Sequence, residues 1–185
     1  RPPMAQNILT TLRKLNHYVA ILIGVMLLIC AAVILLDIVM RQLGASLGGT
    51  DEISGYVMAI ATSWGMGYTL LELGHVRIDL LRGQTGARGR ALFDLGSMLI
   101  LSSTVTLIAV MSWPVLARSL ANSSTANTPL ETPLAWVQTP WFLGWVWFAV
   151  VSWLTFVAAV MLVRKGEFSQ SEAAIGTFGE KEAVR

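Results

Sequence analysis

The chain has 185 residues, of which 55% are hydrophobic and 13% charged, with a net charge of +2. A soluble domain carries roughly 25% charged residues, so the deficit, together with apolar runs near 20 residues long, excludes an ordinary soluble enzyme and means an integral membrane protein. The near-neutral balance offers no basis for nucleic-acid binding, and a single cysteine, Cys30, excludes an internal disulfide or a dithiol relay.

Residues 4–15 are short and amphipathic. Met4, Ile8, Leu12 and Leu15 share one helical face, which suits a short helix in the membrane interface or the start of the first span. The first span is expected over residues 17–40. Its run is too long for a signal h-region and lacks a small-residue cleavage site, so no cleavable signal is expected. Residues 43–50 are Gly-rich and turn-forming.

A second, weaker span covers residues 53–73. Gly55, Ala59, Ser63 and Gly67 recur every four residues, making a groove along one helix face. In lipid, close backbone approach is a main source of helix association, so this helix is expected at the centre of a bundle or against a partner. A polar loop follows with Arg77, Arg82, Arg88 and Arg90. The third span is expected over 91–117, with Pro114 ending or kinking it. The hydroxyls of Ser102, Ser103, Thr104 and Thr106 can bond back to the helix or across it. The fourth span is expected over 138–163, with Pro140 in its first turn. Trp113, Trp136, Trp141, Trp145 and Trp147 read as one interfacial belt. Residues 166–185 mix charges of both signs and read as a disordered tail.

The architecture expected is therefore all-α: a four-helix transmembrane bundle over 16–165. With four spans, 11 of the 13 Lys and Arg residues fall on the side of the termini and the middle loop. The positive-inside rule then places both termini in the cytoplasm.

The polar residues bracket the spans rather than interrupt them. Asp37 and Arg41, one turn apart, form a pair at the end of the first span that sets the bundle or meets a partner, or else sits among headgroups. Asp51 and Glu52 complement the second helix's dipole; Thr50 or Asp51 can cap it, and Glu52 can reach Arg41. Glu72 and His75 close the second span. His17 and His75 share the terminal side, where two histidines can ligate haem, although no carboxylate pattern supports that. No catalytic or phosphate-binding pattern is present, and no span is broken at its centre as transporter substrate sites require. A non-enzymatic structural membrane subunit follows, with a small homodimeric four-helix carrier built around Asp37, or a haem protein, as alternatives.

The segments LDIVMRQ, TDEISGY and GHVRIDLL resemble the small, DctQ-like membrane subunit of tripartite ATP-independent periplasmic (TRAP) transporters. Asp37, Arg41, Glu52, Ser54, Gly74, His75, Arg77 and Asp79 match the family's pattern. Thr132, Pro133, Trp136 and Gly144 match its Thr-Pro approach to the last span. Thr50-Asp51 departs from the usual Pro-Gly-like turn. The resemblance implies a bacterial inner-membrane protein and two partners: a large (M-type) membrane subunit and a periplasmic substrate-binding protein. It implies that the large subunit carries the organic acid and the sodium, and that this chain, surrounded by membrane lipid and holding no cofactor or metal, widens the scaffold.

Overall fold

The computed structural model describes residues 4–75 and 80–177. It is helical throughout: α1 Met4–Gln42, α2 Thr50–Leu71, a 3-10 turn Arg82–Gln84, α3 Ala87–Ala121, α4 Leu134–Arg164 and α5 Phe168–Ile175. The only β pairing among the described residues is an isolated bridge between Thr125 and Pro133. Among the described residues, three helices, α1, α3 and α4, are long and apolar enough to cross a membrane. α2, at 22 residues, is about 33 Å long, but the Gly, Ser and Thr residues that suit it to close packing lower its hydropathy.

Several boundaries differ from those the sequence predicts. Residues 4–15 do not form a separate helix; they are the first turns of α1, because no Gly or Pro interrupts the chain between Met4 and Gly24. Pro114 does not end α3, which continues to Ala121. Pro140 lies inside α4 rather than in its first turn, and Pro133 stands at the N-cap. Residues 168–175 of the supposed tail form α5, whose Ser171, Ala174 and Ile175 are buried.

The hub of the bundle is α4, not α2. α4 packs against α1, α2, α3 and α5, and 39% of its most apolar stretch is buried, against 6% for α1. Its buried face, Phe148, Val151, Ala158, Ala159 and Leu162, meets Leu12 of α1, Leu70 and Leu71 of α2, Met98 and Val105 of α3, and Ile175 of α5. The large apolar residues on the outside, such as Leu22, Leu28 and Ile100, suit a hydrocarbon solvent, where exposure carries no hydrophobic penalty.

The close approaches fall where the sequence has small residues. A Cβ at Gly144 would lie 2.3 Å from Ser63 Oγ and 2.9 Å from Trp64 Cδ1, so α2 and α4 nearly touch there. Trp64 Nε1 donates to the Pro140 carbonyl at 2.8 Å across the same contact. One turn further along α2, a Cβ on Gly67 would lie 2.9 Å from Asn16 Oδ1. That space lets the fully buried Asn16 accept from Trp147 Nε1 at 3.2 Å while donating to the Leu12 carbonyl at 3.0 Å. One polar side chain thus joins α1, α2 and α4. Gly67→Ala should displace Asn16 and leave a buried polar group unpaired, costing about 1–3 kcal/mol. Asn16→Ala should cost a similar amount, and a double-mutant cycle on chemical unfolding should show the two effects to be strongly non-additive.

Candidate functional site

The chemistry-bearing side chains gather at two ends of the bundle. One end holds the α1–α2 and α3–α4 connections; the other holds the start of α1, the α2–α3 connection and α5.

At the first end, Asp37 is 1% exposed. An uncompensated carboxylate there would be costly, and it is fully engaged. Oδ1 accepts from the Leu47 backbone N–H at 2.7 Å and the Ser46 hydroxyl at 3.2 Å. Oδ2 accepts from the Thr50 hydroxyl at 2.8 Å and pairs with Arg41 Nη2 at 2.7 Å. The Gly-rich segment 43–50 is therefore wrapped around one carboxylate. The i, i+4 spacing in the sequence reveals Arg41, but not the loop partners, which depend on how the chain turns. Neither Thr50 nor Asp51 caps α2. Gly49 occupies the N-cap in the left-handed region, φ 70°, without a side-chain cap. Leu130 presses on Gly49 from the α3–α4 loop, so any side chain there would also collide. Asp37→Asn retains the shape but turns one acceptor into a donor that faces donors. The Leu47 amide and its neighbours through Gly49 should then exchange faster than in the wild type, as read by hydrogen–deuterium exchange.

Glu52 does not reach Arg41. That guanidinium turns to Asp37, to Thr50 at 3.3 Å and loosely to Asp51 at 3.9 Å. Glu52 instead accepts a short hydrogen bond from the Tyr56 hydroxyl, one turn along α2. The Thr128 and Thr132 hydroxyls and the Leu130 N–H face the same carboxylate. No regular hydrogen bond forms at Oε2. The α3–α4 loop is itself folded back by backbone bonds from Ala126 to Thr132 and from Leu134 to Ser124, both 2.9 Å. Asp37 thus organises one connection, and Glu52 lies beside the other.

At the second end, Arg82 is 9% exposed. Its Nε and Nη2 grip Asp94 at 2.8 and 2.9 Å in a fork. Nη2 also pairs with Glu172 at 2.8 Å, and Nη1 donates to Thr177 at 3.0 Å. Arg90 adds a contact to Glu172 at 3.3 Å. The Asp94 carboxylate holds the Arg82 proton above its usual range, so the guanidinium stays charged at any physiological pH. One side chain ties the α2–α3 connection to α3 and α5. The four-arginine loop is visible in the sequence; the buried acceptor is not, because Asp94 sits in an apolar run and Glu172 in a segment read as tail. An acid just inside an apolar run that follows a basic loop is the signal that points to it.

The small-residue stripe is divided. Ser63 and Gly67 are buried against α4 and α1, and Ala59 is half-buried. Gly55 is exposed, with nothing within 4 Å of where its Cβ would stand. His75 stacks on Phe148 with centroids 6.1 Å apart, whereas His17 is exposed beside Tyr18. Arg77 and Asp79 lie outside the described residues. Among the described residues, no group of three His, Cys, Asp or Glu side chains is placed to hold a metal.

Long apolar helices, joined by small-residue contacts and closed at each end by an ion pair with a buried carboxylate, suit an integral membrane protein. A family model, that of the DctQ component of tripartite ATP-independent periplasmic transporters, matches residues 30–160. The chain belongs to that family of transporter components. The matched segment runs from the middle of α1 almost to the end of α4 and contains both Asp37 with its loop and Arg82 with Asp94. No curated protein and no solved structure matches the chain.

Proposed function

We propose that this chain is the small, non-catalytic permease subunit of a sodium-coupled, binding-protein-dependent TRAP transporter for organic acids, and that it serves as a scaffold for the large elevator subunit. α2 is the fourth span, and both termini face the cytoplasm of a bacterial inner membrane. The Asp37 end then faces the periplasm, where the substrate-binding protein docks, and the Arg82 end faces the cytoplasm. Sodium and substrate bind the large subunit.

The observation that carries this reading is where the ionic groups go. Asp37, Arg82 and Asp94, the buried charged side chains among the described residues, are all engaged in tying helices to loops. Intramembrane charges that serve transport usually line a cavity or an ion path. Asp37, which a self-contained homodimeric carrier would need, is saturated by its own loop. A rigid platform is what such an arrangement supports. The test is uptake of radiolabelled organic acids into proteoliposomes under a sodium gradient. The chain alone should give background uptake at every gradient, and sodium-driven accumulation by it alone would overturn the reading.

A further inference from the structure

Between α1 and α2 runs a groove that the bundle does not fill. Its volume is about 410 Å³, and its walls include Leu22, Ile29, Val33 and Ile34 of α1 with Ile53 and Val57 of α2. We infer that it seats one acyl chain of a zwitterionic aminophospholipid whose headgroup is held by Arg41 and Asp51.

The apolar walls exclude water, since a buried water needs two or more polar partners. In a membrane the space is then filled by hydrocarbon. From Leu22 to Ile34 is twelve residues, about 18 Å along α1, close to one leaflet of a core ~30 Å thick, so one extended acyl chain matches the length of the groove. The charges at its rim favour a lipid over the side chains of a partner helix.

The headgroup end is equally defined. Thr50 lines the groove and also accepts from Arg41 Nη2 at 3.3 Å, so the guanidinium stands at the rim. Its side chain is 47% exposed, and its contacts among the described residues run through Nη2. Nε and Nη1 can donate to a phosphate. Asp51, 92% exposed and 3.9 Å from that guanidinium, presents a carboxylate to an ammonium. A phosphoethanolamine group complements both charges. An anionic phosphoglycerol group would satisfy Arg41 and oppose Asp51. Only membrane embedding is required for this, not the transport role.

The full chain is reconstituted in nanodiscs of equimolar phosphatidylethanolamine and phosphatidylglycerol, released into mild detergent and weighed by native mass spectrometry. One retained phosphatidylethanolamine per chain is expected, in preference to phosphatidylglycerol. Cys30→Trp, which fills the groove from its α1 wall, should cut retention at least about tenfold with the helical circular dichroism unchanged. Should that variant fail to fold, Val57→Phe fills it from the α2 wall. Asp51→Ala, at an exposed position, should remove the preference between the two lipids. Retention unaffected by filling the groove, equal retention of both lipids by the wild type, or no retained lipid would each overturn the inference. So would cross-linking from Cys30 to a partner membrane helix in the intact complex.

Discussion

Arg82→Ala should lower the stability of the chain by about 3–5 kcal/mol, the cost of leaving a buried charge without its partner. The charge left behind is Asp94, whose side chain is 3% exposed and which relies on the guanidinium fork for both oxygens. The loss should be visible as a lower midpoint in denaturant unfolding. Amide exchange should rise together over 82–85 and 168–177, because Arg82 joins those segments. Arg82→Lys should recover only part of the effect, since an ammonium keeps the charge but cannot grip a carboxylate bidentately. Glu172→Gln should cost less: that carboxylate is 38% exposed, and exposed pairs contribute about 0–1 kcal/mol. If Arg82→Ala unfolds at the wild-type midpoint, the network is decoration rather than structure.

Gly144→Leu should be comparably damaging. The new Cβ would collide with the Ser63 side chain and the Trp64 ring, and both sit on α2, a helix held to α4 by this crossing. Overpacking a tight core costs about 1–3 kcal/mol in ordinary cases. Here it should also break the Trp64–Pro140 hydrogen bond and shift the Trp64–Trp147 stack, whose centroids are 6.5 Å apart. Tryptophan fluorescence should move accordingly. Ser63→Leu should reproduce the defect from the other side. Gly55→Leu, on the same stripe but in open space, should leave the fold intact. Only this last variant can separate a role in docking from one in folding, because Ser63 and Gly67 are used inside the chain.

The apolar runs, the small-residue period and the Asp37–Arg41 spacing are enough to read the membrane class, part of the α2 packing face and one ion pair. These are local properties, set by residues within two turns of each other. What escaped was long-range. Arg82 and Glu172 are 90 positions apart, and Asn16 and Trp147 are 131 apart; no periodicity announces such partners. Proximity in sequence lets Glu52 reach Arg41, yet its carboxylate turns to the Tyr56 hydroxyl. The mixed charges of residues 166–185 predict a disordered tail, but Ala174 and Ile175 supply an apolar face for α3 and α4, and Glu172 supplies the ion pair. Helix ends depart from expectation because Pro114 does not end α3 and because Pro133, rather than Pro140, opens α4; neighbouring helices stabilise a span through a proline.

The scaffold role is tested most directly by affinity purification of the intact complex from native membranes, with this chain carrying the tag. The account predicts that a larger multi-span membrane subunit co-purifies in fixed stoichiometry, and that Gly55→Leu weakens the association while the chain itself remains folded. A folded, monodisperse chain recovered without any larger membrane subunit would contradict it.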